Sequence, residues 1–146
     1  MNMRFYILIA AMSVVACQKT GNDIEGSYRL LESTTIKGKD TIHVRVDTTK
    51  TEMIKVINAS HFAFFNHDKN QGKDSTAAFV SGGGTYVLEG STYTENLDFC
   101  TYRPWEGKQF TFAISLKGDT LIQEGMEELP ELGIKQHITE KYIRIK

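Results

Sequence analysis

Apolar residues recur at every second position over most of this chain, a period that admits half-buried β-strands and not amphipathic helices. Ile42, Val44 and Val46 alternate with Thr41, His43, Arg45 and Asp47, which predicts a half-buried strand over 41–47. Phe110, Phe112, Ile114 and Leu116 alternate in the same way with Thr111, Ala113 and Ser115 over 108–117. Further strands are predicted over 26–36, 52–58, 61–67, 76–81, 85–89, 91–101, 120–124 and 134–145. The breaks between them carry turn residues, among them Lys37-Gly38-Lys39-Asp40, Asn58-Ala59-Ser60, Glu89-Gly90-Ser91 and Lys117-Gly118-Asp119. Strands joined by such short turns form an antiparallel meander. Eight to ten of them, each with one apolar face, close into an up-and-down barrel that leaves no exposed edges. Helix is limited to at most one short turn near 126–132, because Pro130 stops propagation.

The amino terminus follows a different rule. Arg4 is followed by an apolar or small run from Phe5 to Ala16, and polarity returns at once in Gln18-Lys19-Thr20. Twelve helical residues reach roughly 18 Å, too short for about 30 Å of hydrocarbon. The layout is that of a secretory leader over residues 1–16. Val14-Val15-Ala16-Cys17 resembles the lipobox of bacterial lipoproteins. The resemblance implies a diacylglyceryl group on Cys17, removal of the leader, and acylation of the new amino terminus by a chain of the palmitate type. A plain secretory signal cut near Ala16 is the rival reading. Residues 17–25, polar and containing Gly21-Asn22-Asp23, read as a lipidated tether, and 26–146 as a single barrel domain. Two or three acyl chains make a durable membrane anchor. Gln18 after the modified cysteine favours the outer over the inner membrane of a bacterial envelope, by resemblance alone.

Charge narrows the partners. The chain holds 17 basic and 18 acidic residues for a net charge of −1, without the basic stripe that nucleic acid demands. No lysine or arginine cluster suggests headgroup binding, so attachment to the membrane falls to the lipid. With Cys17 lipidated, Cys100 has no intramolecular partner, and a small buried hydrophobe is its ordinary role.

From about Ile24 to Lys146 the chain resembles the small lipocalin-like lipoproteins of the bacterial envelope, which share a calycin-type barrel. Three stretches carry the resemblance: Lys55-Val56-Ile57-Asn58-Ala59-Ser60-His61-Phe62-Ala63-Phe64, then Gly82-Gly83-Gly84-Thr85-Tyr86-Val87-Leu88 with Tyr93-Thr94-Glu95, and finally Lys141-Tyr142-Ile143-Arg144-Ile145. Lipocalins open with Gly-x-Trp and pack a late Arg across the Trp. Gly26-Ser27-Tyr28 and Arg144 stand in those places, with Tyr28 for the Trp. The resemblance implies a non-catalytic protein that binds a small apolar ligand. It does not name that ligand or a protein partner.

Chemistry-bearing patterns are sparse. Gly82-Gly83-Gly84 lacks the Lys-Ser/Thr and the following helix of a phosphate loop, and marks a bend or bulge instead. His61 and His67 share a strand face but stand about 20 Å apart, and His43 and His137 have no partners at ligand spacing, so no metal site is expected. Glu127, Glu128 and Glu131 read as solvated carboxylates on a surface turn. No nucleophile elbow is present, no enzymatic role is expected, and no motif implies a cofactor.

Aromatic residues carry the functional expectation. Phe62 and Phe64 share one strand face, as do Phe110 and Phe112, and an eight-stranded barrel is just wide enough to fill or to hold one small ligand. The expected site is a barrel cavity lined by these four rings, with Tyr86, Arg103 and Trp105 orienting a small apolar or amphipathic ligand. Tyr102-Arg103-Pro104-Trp105 would sit near the mouth. The alternative is a filled barrel that serves as a structural or protein-interaction module.

Overall fold

The computed structural model describes residues 23–73 and 77–146. The expected leader, Cys17 and the tether before Asp23 lie outside the described residues. Nine strands follow in chain order: β1 (Gly26–Lys37), β2 (Asp40–Arg45), β3 (Thr51–Ile57), β4 (His61–Asp68), β5 (Phe79–Glu89), β6 (Thr92–Cys100), β7 (Lys108–Lys117), β8 (Thr120–Leu129) and β9 (Ile134–Ile145). All pair antiparallel with neighbours in sequence, and β9 returns to pair along β1 from Ser27↔Ile145 to Ile36↔His137. Eight strands thus close an up-and-down barrel of lipocalin-like form. Among the described residues the helical content is two 3-10 turns, Pro130–Leu132 before β9 and Arg103–Trp105 in the loop after β6.

Strand β2 lies outside the closed wall. One edge of β1 is shared end to end: Gly26–Arg29 pairs with β3, and Glu32–Lys37 pairs with β2. The β1–β2 hairpin therefore rises past the barrel rim, and every residue of β2 is exposed, including Ile42 at 57% and Val44 at 48%. The sequence pattern predicts a half-buried strand there. Alternation is present, but no element covers its apolar face.

Glycines shape β5. The predicted strands 76–81 and 85–89 are one continuous strand through Gly82-Gly83-Gly84, with a register shift against β6 between Gly83 and Thr85. A Cβ on Gly84 would lie 2.7 Å from the Asp98 amide nitrogen, and one on Gly83 would lie 2.7 Å from the Phe62 carbonyl oxygen. Backbone must approach backbone here, and only glycine permits it.

One end of the barrel is closed by aromatic packing. Tyr28, Tyr93, Tyr142 and Leu121 are fully buried. Tyr28 donates its hydroxyl to the Ile24 carbonyl at 2.8 Å, and the Arg144 guanidinium lies 4.8 Å from its ring centroid. Arg144 also donates to the carbonyls of Asp23, at 2.8 Å, and Glu25. Arg144 thus lies over the Tyr28 ring, and the segment leading into β1 is tied onto the closed end. The opposite end, ringed by the β1–β2 hairpin and the β4–β5, β6–β7 and β8–β9 connections, is the mouth.

Candidate functional site

Inward-facing side chains alternate along each strand, and most are apolar, as a barrel core requires. Four strands break that rule. Lys55 stands between Met53 and Ile57 on β3, and Glu95 between Tyr93 and Leu97 on β6. On β8 the inward phase runs Leu121, Gln123, Gly125, Glu127, Leu129, and on β9 Glu140 lies between Ile138 and Tyr142. These polar groups border a cavity of about 280 Å³ inside the barrel, whose apolar wall includes Phe64, Val80, Leu97, Trp105, Phe110 and Phe112. That volume is at the small end of small-molecule sites.

Lys55 forms the cavity floor. Its ammonium pairs with Glu95, donates to Gln123 Oε1 at 2.5 Å, and lies over the rings of Phe62, Tyr93 and Tyr142 at 5.4, 5.3 and 5.9 Å from their centroids. Lys55 and Glu95 are both buried. A buried charge is tolerated only when paired and hydrogen-bonded, and here a carboxylate, an amide oxygen and three aromatic faces together replace water.

Two further carboxyls, Glu127 and Glu140, stand on the β8–β9 wall, and among the described residues neither forms a salt bridge with a lysine or arginine. Glu127 accepts from Gln136 Nε2 at 2.7 Å, and Glu140 accepts from the Tyr142 hydroxyl at 2.7 Å. Burial pushes the Glu127 carboxyl up to about 7, opposed by the Gln136 hydrogen bond and reinforced by the negative charges of Glu140 and Glu95. Burial likewise raises Glu140, with Lys55 pulling in the other direction. Tyr142 is held neutral far into the alkaline range by burial and the adjacent Glu140. The sequence pattern places Glu127 and Glu128 on a solvated surface turn. Both instead lie on β8, which runs on to Leu129, and the pleat directs Glu127 inward while Glu128 faces out to pair with Lys135.

The adjoining β7 wall and the loop that precedes it are aromatic. Trp105 stands 5.3 Å from Phe110, and Phe110 stacks 6.5 Å from Phe112. The Trp105 indole nitrogen is buried and has no hydrogen-bond partner among the described residues. An unpaired buried donor costs about 1–3 kcal/mol, which an acceptor in the cavity would recover. Val80 and Tyr102, both exposed, mark where the cavity reaches the mouth.

The residues expected from sequence divide into two groups. Phe64, Trp105, Phe110 and Phe112 line the cavity together, and Phe62 lies beneath the Lys55 ammonium. Tyr86 is directed toward the closed end, where its hydroxyl donates to the Asn58 carbonyl at 2.7 Å and its ring packs 5.1 Å from Tyr93. Arg103 lies outside the barrel, 80% exposed, paired with Glu106 at 3.0 Å beside a surface groove formed with Phe65 and Phe99. Cys100 is a free, buried cysteine on the cavity wall. Sequence reasoning missed Lys55, Glu95, Gln123, Glu127, Glu140 and Tyr142 as site residues. The available signal was a polar residue recurring on the inward phase of otherwise alternating strands. Among the described residues, no three His, Cys, Asp or Glu side chains come together as a metal site.

The chain matches no protein-family model and no curated protein sequence.

Proposed function

We propose that this protein is a lipid-anchored binding protein of the bacterial cell envelope that holds one small amphipathic molecule inside its barrel. The observation that carries the reading is the cavity of about 280 Å³, aromatic along β7 and charged on its floor and along the neighbouring β8 and β9. A barrel whose only task was to be filled would gain nothing from enclosing four ionisable side chains, each of which costs desolvation. The anchor rests on the leader, on Cys17 and on its lipobox-like surroundings. Supporting the arrangement, the chain enters the barrel at the closed end, so an anchor a few residues upstream of Asp23 leaves the mouth pointing away from the membrane.

The test is titration with an environment-sensitive dye such as an anilinonaphthalene, following both dye emission and the fluorescence of Trp105, the only tryptophan. Saturable dye binding that a small amphiphile displaces, with a change in Trp105 emission, is the expected result. Absence of both overturns the binding reading.

A second reading, an interaction module, is favoured by one patch. Phe65, Phe79 and Phe99 are exposed on neighbouring strands β4 to β6, Phe99 at 72%. That reading expects a protein partner whose capture is lost in a Phe65→Ser/Phe99→Ser variant with an intact fold.

A further inference from the structure

The charged side chains that line the cavity are Lys55, Glu95, Glu127 and Glu140, one cation against three carboxyls. The ammonium is already committed, because Glu95 and Gln123 share its hydrogens. Glu127 and Glu140 remain on the β8–β9 wall with only a glutamine and a tyrosine as hydrogen-bond donors. No basic residue from β1, β4, β5 or β7 lines the cavity among the described residues. An entering carboxylate would therefore face two like charges and find its one cation occupied. An entering ammonium would meet what Lys55 itself meets, carboxyl oxygens and aromatic faces in a space with little water.

Resting on the binding reading above, we propose that the ligand is an organic amine, its ammonium seated against the acidic β8–β9 wall that carries Glu127 and Glu140 and its apolar body laid against Trp105, Phe110 and Phe112. A metal ion does not suit the site, since the carboxyls are not grouped as ligands. The Lys55–Glu95–Gln123 cluster shows that the barrel already houses one ammonium, over three rings at 5.3–5.9 Å. The aromatic wall offers comparable faces to the substituents of a second one. The Trp105 N–H, lacking a partner, suits an acceptor oxygen on the same ligand.

The experiment compares three probes of one chain length, decylammonium, decanoate and decanol, titrated by calorimetry at about pH 8. Decylammonium is expected to bind at least about tenfold more tightly than decanoate, a difference of one decade in Kd. A Glu127→Gln/Glu140→Gln variant should lose about tenfold or more in decylammonium affinity while decanol affinity, reporting an intact cavity, moves by less than about threefold. In the unaltered protein, decylammonium affinity should weaken from pH 8 to pH 6 as the Glu127 carboxyl takes up its proton. Decanoate binding as tightly as the amine, or better, overturns the amine proposal and leaves the binding reading standing. Failure of all three probes removes both. An amine preference that survives the double variant places the ammonium elsewhere and overturns the assignment to Glu127 and Glu140.

Discussion

At the scale of single residues, burial of charge sets the chemistry of the cavity. Lys55 and Glu95 stabilise one another only as a pair, so removing one should hurt more than removing both. Lys55→Met is expected to cost about 3–5 kcal/mol in urea unfolding, because Glu95 would be left buried without its cation. Lys55→Met/Glu95→Leu should recover most of that loss. A double variant no more stable than the single one would mean that Glu95 finds another partner. Glu127 gives a pH signature of definite sign. Its carboxyl titrates near 7 in the folded protein and near 4.5 unfolded. Between those values the folded state binds more protons, so stability falls as pH rises through the window. The full effect of such a shift is on the order of 3 kcal/mol. Glu127→Gln, which keeps an acceptor for Gln136, should therefore melt higher than the unaltered protein at pH 8 and at the same temperature near pH 4. Melting curves with the opposite order at pH 8 would place Glu127 in solvent.

Elements show where alternation is a sufficient guide and where it is not. Strand β7 keeps a clean period of two, and the sequence limits of both β7 and β9 coincide with the structure. The β8 pattern fades after Glu124 because Gly125 and Glu127 occupy inward positions, and polar residues there mimic the end of a strand. What looks like a lost signal is the functional wall. Strand β2 errs the other way: Ile42 and Val44 satisfy the pattern, yet burial depends on what lies opposite, and nothing in a local window reports that β3 has already taken the lower part of the β1 edge. In the same way, Arg103 and Trp105 are two residues apart in one 3-10 turn, but only Trp105 reaches the cavity. The glycine run in β5 is legible as a structural device, and its energetic weight can be measured. Gly84→Ala would drive a methyl group into the backbone of Asn96 and Asp98, neither of which can rotate away. A loss of about 3 kcal/mol or more is expected, at the upper end of overpacking costs. Gly107→Ala, with φ of +73° but open space around it, should cost only about 1 kcal/mol of left-handed strain. Equal losses at the two sites would remove close backbone approach as the reason for the triple glycine.

For the whole molecule, the closed antiparallel wall follows from the period of two together with hairpin connections, and it is legible in the sequence. The charged interior is not, because a sequence window cannot tell which phase of a strand faces inward once that phase carries Lys55, Glu95 or Glu127. The result is a barrel with two unlike ends and an inner surface that is aromatic along β7 and acidic along β8 and β9. Tyr28, Tyr142 and Arg144 close one end, and the other opens over a cavity in which Trp105, Phe110 and Phe112 adjoin the wall of Glu127 and Glu140. The most direct measurement fills that space. Leu97→Trp adds bulk on the cavity wall without touching its charges. The account predicts that the unaltered protein binds a displaceable amphiphile with a stoichiometry of one, and that Leu97→Trp unfolds cooperatively yet loses this binding by about tenfold or more. A cooperatively folded Leu97→Trp protein that binds the amphiphile undiminished would place the ligand outside the barrel and contradict the account.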